Sequence, residues 1–247
     1  ALALEEGNRH SPLSINTEAK KNGENYSITG DKTFVIDGHS SKLLIVAART
    51  SGSEKDSSGI TLFLIDPSAN GVEVNKTSMV DSRNSANITL KNVTVSKDDI
   101  LGEENNGAAI LEEVLDRAQI VISAEMLGNA SQAFDITLEY LKERKQFGAV
   151  IGSFQALQHR AAEMYSELEL TKSSVIAACV AADEKSNDLR RMASLAKFKA
   201  GETNHLVTNE AVQMHGGVGV TDEYDVGLYL KRARVTEQIF GNSEYHL

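Results

Sequence analysis

Two short runs of this sequence carry the side chains best suited to bind a ligand. The first run, Arg-Lys-Gln-Phe-Gly at 144–148, ends one helical pattern, and Phe154 and Gln155 open the next. Arg144 has a planar, permanently charged guanidinium that suits phosphate oxygens, and Phe147 adds an aromatic face beside it. We therefore place a phosphorylated cofactor at this junction, if the protein holds one. Alternatively, Arg144 is a helix C-terminal charge that offsets the helix dipole.

The second run is a glycine-rich turn, Gln213 to Gly219, between two further helical patterns. Gly216 and Gly217 allow backbone to approach a ligand without an intervening side chain, and free N–H groups at such turns can take an anion. Taken alone, the run is better explained as a helix C-cap followed by an N-cap at Asp222.

Composition narrows the class of protein. The 247 residues include 35 acidic and 25 basic side chains, a net charge of −10 that argues against a nucleic-acid partner. No apolar run approaches the roughly 18 residues of a membrane span. Cys179 is the only cysteine, so one chain offers no disulfide or thiolate metal site, and we expect no metal. No secretory signal is visible, which favours the cytoplasm, or the mitochondrial matrix in a eukaryote. The chain does not begin with methionine, which allows for its being a fragment.

Residues 1–104 have the composition of β-structure, with both prolines and many short β-branched runs. The pattern predicts strands at Leu13–Lys21, Asn25–Thr29, Lys32–Ile36, Leu43–Thr50, Ile60–Ile65, Gly71–Lys76 and Ser85–Val95. In the last of these, apolar alternation changes phase, which predicts a bulge near Lys91 and Asn92. We expect an antiparallel β-barrel or sandwich.

Residues 105–247 contain no proline and read as helices. Three apolar stripes at helical spacing are followed by a last helix from about Glu223, which together predict an up-down four-helix bundle. The first stripe shows an interruption between Gly128 and Ser131. The fold class is therefore α+β, a β-domain over 1–104 followed by a helical bundle over 105–247.

The chain resembles the acyl-CoA dehydrogenase family along nearly its whole length. The resemblance lies in several motifs in the right order: Ala-Ala-Arg-Thr at 47–50, Asn92 to Gly102, the 144–155 junction, and Gln213 to Tyr224. It implies the family's middle β-domain and C-terminal bundle, with the N-terminal helical domain absent.

The resemblance also implies a function, the α,β-dehydrogenation of an acyl-CoA thioester with hydride transfer to FAD. The implied cofactor-binding residues are Arg144, Phe147, Gln155, Gln213, Gly216 and Gly217. In the family these segments reach the FAD of a neighbouring subunit, so a homo- or hetero-oligomer, a dimer or tetramer, is implied. Electron-transfer flavoprotein is the implied electron acceptor.

Two departures from the family pattern concern the chemistry. The family's catalytic carboxylate stands in an Ile-Tyr-Glu-Gly-Thr run, where this chain has Gly241, or on the first bundle helix, where it has Ala118. The catalytic residue is thus unknown, with Glu244 a weak candidate beside Asp116 and Glu125. The family's flavin-flanking Trp-Ile-Thr run is replaced by Phe-Val-Ile at 34–36.

Two hypotheses of different classes follow. The chain is a working FAD enzyme whose base comes from an unusual position or a partner subunit. Alternatively, it has lost catalysis and serves as the non-catalytic subunit of a heteromeric acyl-CoA dehydrogenase, or as a FAD-free structural or binding protein. The run at 241–243 resembles members that act in mixed complexes, some of them on sterol thioesters.

Overall fold

The computed structural model describes all residues from Ala1 to Leu247. They divide into two compact units, Ala1–Val114 and Leu115–Leu247. The first is called the β unit and the second the helical unit. The boundary that we place between 104 and 105 stays a prediction, because one helix, Gly107–Glu143, runs through the division.

The β unit is built on one mixed sheet of eight strands. The strands are β1 (Leu2–Ala3), β2 (Glu18–Asn22), β3 (Asn25–Ile36), β4 (Leu44–Arg49), β5 (Ile60–Ile65), β6 (Val72–Ser78), β7 (Asn84–Ser96) and β8 (Ile100–Leu101). Their order is β6-β7-β3-β2-β4-β5-β8, with β1 paired to β4. Of the two predicted alternatives, the closed barrel is not formed, because the sheet stays open between β6 and the two-residue β8. Nor is the sheet wholly antiparallel, since β4 pairs in parallel with both β1 and β2.

The N-terminal segment departs most from the predicted strands. Strand β2 begins only at Glu18, whereas the sequence pattern predicts a strand from Leu13. The reason is that the backbone N–H groups of Asn16 and Thr17 donate to the Glu6 carboxylate instead of to a neighbouring strand. The two strands predicted between Asn25 and Ile36 form one continuous strand.

The predicted bulge in β7 is confirmed. Val93 pairs with Ile28 and Leu90 pairs with Gly30, so Lys91 and Asn92 together oppose a single β3 residue. The inserted Asn92 has a left-handed backbone with φ 51°. This extra residue explains how apolar side chains on both sides of the phase change are buried in the same sheet.

Two buried cations organise the loops of the β unit. Lys32 is fully buried and donates to Glu6 at 2.6 Å and to the Leu4 carbonyl at 3.3 Å. Burial lowers the pKa of Lys32 to about 8, although the Glu6 carboxylate opposes this shift. Arg49 is 8% exposed, and its guanidinium donates to six backbone carbonyls, those of Leu13, Ile15, Ser51, Glu54, Asp56 and Ser58.

The helical unit contains four long helices, a short fifth helix and a small hairpin. The elements are α1 (Gly107–Glu143), β9 (Lys145–Gln146), β10 (Ala149–Val150), α2 (Gln155–Asp183), α3 (Leu189–His215), α4 (Val226–Gln238) and α5 (Ser243–His246). The predicted bundle is thus confirmed, with α5 added. None of the helices combines the length and hydropathy that a bilayer crossing requires.

The interruption predicted in the first helix is wrong, because α1 continues through Gly128 to Glu143. A glycine costs only about 1 kcal/mol in a helix interior, and packing in the bundle outweighs that cost here. Ala130 and Ala133 are fully buried in the bundle core, and Asn129 donates to the side chain of Asn204 on α3 at 2.8 Å. Local sequence signals cannot reveal such partners.

Small residues let the helices approach closely. The buried face of α3 carries Ala193, Ala196, Ala200, Thr203, Val207, Ala211 and Met214, which follow the predicted stripe. Thr171 on α2 donates to Thr203 at 2.7 Å in the buried interface. The seam therefore includes a hydroxyl pair whose polar atoms are satisfied between the helices.

Candidate functional site

The hairpin that joins α1 to α2 presents an unusual aromatic side chain. Its two-residue loop, Phe147 and Gly148, has φ values of 54° and 78°, the two positive values of a type I′ turn. Phe147 is 93% exposed, although a left-handed backbone costs a residue with a Cβ about 1–2 kcal/mol. The edge of its ring faces Phe154, with ring centroids 6.3 Å apart. A strained, exposed aromatic residue of this kind suggests selection for contact with another molecule.

Arg144 stands between α1 and this hairpin. Its backbone N–H donates to Tyr140 O at 2.9 Å, and its carbonyl accepts from Ile151 N at 2.8 Å, so both backbone groups are fixed. The guanidinium is exposed and makes no hydrogen bond or ion pair in the structure. Gln155, the first residue of α2, is likewise exposed. The side chain with the strongest donors thus remains available to an anion.

The glycine turn lies where α3 ends. Gly216 has φ 67°, and an added Cβ at Gly216 or Gly217 would meet nothing within 4 Å. Both glycines are exposed, as is Gln213 on the last turn of α3. Asp222 does not cap the next helix, because α4 begins at Val226 after an N-cap residue that makes no side-chain bond. The turn therefore offers open backbone for close approach, as its composition predicts.

Aromatic stacking brings the two runs to one end of the helical unit. Tyr140 on α1 stacks on His215 with ring centroids 4.2 Å apart, and its hydroxyl donates to the His215 carbonyl at 3.2 Å. Tyr224 packs against both rings, at 5.3 Å and 4.9 Å. Tyr140 lies one helical turn before Arg144, and His215 directly precedes Gly216. Sequence reasoning missed this link, for which the aromatic residues beside each run were the available signal.

His215 is a buried neutral group in this cluster. Its Nδ1 donates to the Ala211 carbonyl at 2.7 Å, which leaves Nε2 as a buried acceptor without a partner. Burial lowers the pKa of His215, because a charged imidazolium would lose its hydration there.

The turn at Gly241 provides no room for a side chain. Gly241 has φ 95°, and an added Cβ would lie 2.6 Å from Tyr245 Cδ1 and 2.8 Å from His246 Nε2. His246 Nε2 donates to the Phe240 carbonyl at 2.9 Å, and its Nδ1 accepts from Ser194 at 3.1 Å. The rings of α5 therefore fill the volume into which a side chain at 241 would project.

A buried lysine donates hydrogen bonds to the same turn. Lys197 on α3 is 1% exposed and donates to the carbonyls of Gly241 at 2.7 Å and Glu237 at 3.1 Å. Burial lowers the pKa of Lys197 to about 8. The lysine bonds the peptide carbonyls that follow α4, where the helix itself supplies no donors.

None of the candidate carboxylates has the setting of a general base. Asp116 lies 3.7 Å from Arg190 Nε, and Glu125 bonds Arg232 Nε at 2.6 Å. Glu244 is exposed on the four-residue α5. Ala118 offers no acceptor to replace them. A base needs a positioned acceptor. The carboxylates of Asp116 and Glu125 are instead paired with arginine, and that of Glu244 is open to solvent.

The Phe-Val-Ile run of the β unit occupies a second bulge. Lys32 pairs with Ile88 and Val35 with Ala86, so Thr33 and Phe34 oppose one β7 residue. Phe34 has φ 50°, and its N–H donates to Asn87 Oδ1 at 3.3 Å. Phe34 is half-buried, and the left-handed backbone of the bulge changes the direction of its side chain.

Replacing Gly241 with alanine should destabilise the helical unit by about 1–2 kcal/mol, because φ is positive and the Cβ meets the two rings. Urea denaturation followed by circular dichroism measures the change. Gly128→Ala is the matched control, since that helical glycine has open space around it, and it should stabilise by up to about 1 kcal/mol. Equal effects of the two substitutions would contradict the packing described for Gly241.

Fold and site together define a class of protein, a mixed β-sheet unit followed by a helical bundle with an exposed candidate site at one end. The family model of the acyl-CoA dehydrogenase middle domain matches residues 2–93, and that of the C-terminal domain matches residues 105–247. The chain belongs to the acyl-CoA dehydrogenase family.

Individual relatives support this membership. The short/branched chain specific acyl-CoA dehydrogenase of Bos taurus mitochondria is 34% identical over 238 residues, which cover 95% of this chain and 55% of the relative. Subunit CarC of the caffeyl-CoA reductase-Etf complex of Acetobacterium woodii is 33% identical, with coverages of 93% and 61%. The chain thus spans less than two thirds of the length of these relatives.

The fold of a solved relative agrees closely. Butyryl-CoA dehydrogenase from Megasphaera elsdenii matches with a TM-score of 0.92 at 30% identity, covering 100% of this chain and 65% of that one. The α+β architecture of the two units is therefore that of the family's middle and C-terminal domains.

Proposed function

We propose that this chain is the FAD-binding portion of an acyl-CoA dehydrogenase-like flavoprotein. The observation that carries the proposal is that Tyr140 contacts both the backbone of Arg144 and His215, the residue before the open glycines. An unpaired guanidinium suits the phosphates of a flavin dinucleotide, an exposed aromatic ring suits its ring systems, and a bare turn lets backbone approach it.

The residues present fit the phosphate and ring portions of FAD. Arg144 would bind the pyrophosphate through its planar fork, and Phe147 would pack on an aromatic ring of the cofactor. Gly216 and Gly217 would let backbone approach it, while Gln155 and Gln213 would donate and accept hydrogen bonds. When bound, FAD supplies the hydride acceptor for α,β-dehydrogenation of an acyl-CoA thioester.

The exposure of this end favours a site shared between subunits. Phe147 and the two glycines are exposed in the single chain, so an oligomer in which they meet a neighbour's cofactor would bury them. We infer a homo- or hetero-oligomer on this ground. Electron-transfer flavoprotein is the proposed electron partner, supported by the relative that is named as a subunit of an Etf complex.

A second function, that of a non-catalytic subunit, is favoured by the packing at Gly241. The rings of Tyr245 and His246 occupy the side-chain space, and none of Asp116, Glu125 and Glu244 has the setting of a base. In that case the chain would bind FAD for a catalytic partner subunit, or would provide the surface that contacts it.

Arg144→Gln tests the proposed function. We expect FAD affinity to fall by about tenfold to a hundredfold, the value of charge-assisted hydrogen bonds to phosphate. Titration of flavin fluorescence with the purified chain measures it. Arg191→Gln is the matched control, an exposed arginine on α3 paired with Asp188 that should leave affinity unchanged.

Reduction of the bound flavin by a panel of acyl-CoA thioesters separates the two functions. Bleaching by the chain alone supports the enzyme, and its loss in Glu244→Gln would assign the base. Flavin binding without bleaching, restored by a catalytic partner, supports the non-catalytic subunit.

A further inference from the structure

Tyr140 contacts both candidate binding motifs through different atoms. Its backbone carbonyl accepts from the N–H of Arg144 at 2.9 Å. Its hydroxyl, at the far end of the side chain, donates to the carbonyl of His215 at 3.2 Å, and its ring stacks on the His215 imidazole. One buried residue, 8% exposed, thus spans from the arginine to the residue that precedes the glycines.

The hydroxyl contact is significant because of where α3 ends. The last carbonyls of a helix have no partner within it, and Gly216 beyond has no side chain to hold the turn. The tyrosine hydroxyl supplies the donor for one of these carbonyls. The Tyr140 hydroxyl therefore ties the last residue of α3, just before Gly216, to α1.

The backbone at Arg144 is also held by hydrogen bonds. The Arg144 carbonyl accepts from Ile151 N, which ties the hairpin base to the end of α1. The Tyr140 side chain therefore joins the end of α1, whose backbone carries Arg144, to the end of α3, whose last residue precedes the glycines.

We propose that Tyr140 is a positioning residue that fixes the glycine turn relative to Arg144, so that both motifs bind one ligand together. The inference rests on the proposed FAD function. A ligand that spans two motifs gains affinity only if their spacing is preset, since ordering them on binding would cost free energy.

Tyr140→Phe tests this, because phenylalanine retains the stacked ring and removes the hydroxyl. In the chain without added FAD, hydrogen exchange at residues 212–220 should become faster while the main unfolding transition stays close to wild type. FAD affinity should fall about threefold to tenfold, the value of one hydrogen bond. Tyr165→Phe is the control, an exposed tyrosine on α2 that should change neither measurement.

A double-mutant cycle with Arg144→Gln provides the decisive readout. If Tyr140 positions the turn relative to the guanidinium, the two losses of FAD affinity are not additive, because Arg144 contributes less once the turn has moved. Additive losses, or unchanged exchange at residues 212–220, would overturn the inference while FAD binding by the wild type upholds the proposed function. Failure of the wild type to bind FAD would overturn both, irrespective of the exchange data.

Discussion

Lys197→Met should lower the free energy of unfolding of the helical unit by about 2–4 kcal/mol, among the largest effects expected for a single substitution in this chain. Methionine approximates the volume of the lysine stem but provides no donor. The carbonyls of Gly241 and Glu237 are then left unpaired in a buried place. Urea denaturation followed by far-ultraviolet circular dichroism, which reports mainly on the helices, measures the loss.

The pH dependence of the same transition adds an independent readout. The folded pKa of Lys197 is about 8, against 10.5 as the reference, so between these values the unfolded chain binds more protons. The contribution of Lys197 to the free energy of unfolding therefore increases as pH rises from 8 to 10.5, and decreases as pH is lowered again towards 8. Lys197→Met should remove its share of the slope, whereas the exposed Lys231→Met should not. A wild-type stability for Lys197→Met would contradict the role of the two carbonyl contacts.

Arg49→Met should destabilise the β unit by about 3–5 kcal/mol and release the loop from Ser51 to Gly59. The guanidinium donates to six backbone carbonyls, four of which lie in that loop. Limited proteolysis should then cleave within that loop under conditions that leave the wild type intact. Thermal denaturation measures the accompanying loss of stability.

Arg49→Lys separates the contribution of the planar guanidinium from that of its positive charge, because lysine keeps only the charge. A single ammonium has three donors at one point and cannot reach carbonyls spread around a planar fork, so it should restore little of the lost stability. Arg83→Met, which changes an exposed arginine of the same unit, should leave both measurements unchanged. Protection of the loop in Arg49→Met would contradict this assignment.

Features set by local pattern were predictable from the sequence. The phase change between Leu90 and Val93 predicts the β7 bulge because alternation along a strand has a strict period of two. The small-residue stripe of α3 likewise follows from helical spacing. Local signals failed where a distant partner decides the structure. Glu6 takes the backbone donors that a strand from Leu13 would use, and packing carries α1 through Gly128.

The residues of the candidate site also divide into those that could be predicted from local pattern and those that depend on a distant partner. Arg144, Phe147 and the glycines could be selected from their chemistry and from the family resemblance. Their link through Tyr140 could not, because its hydroxyl acceptor lies 75 residues further along the chain. Lys197 was missed for the same reason, since its acceptor at Gly241 is 44 residues away. A buried lysine that bonds two carbonyls has no local signature in a sequence.

The retention of flavin tests the central claim most directly. The purified chain is incubated with FAD, freed of unbound cofactor by desalting, and its visible flavin absorbance is measured together with circular dichroism. We expect the folded wild type to stay yellow, with flavin approaching one per chain in the assembled protein, and Arg144→Gln to lose much of it. A wild-type chain that is folded and colourless after this treatment would contradict FAD binding at the Arg144 end of the bundle.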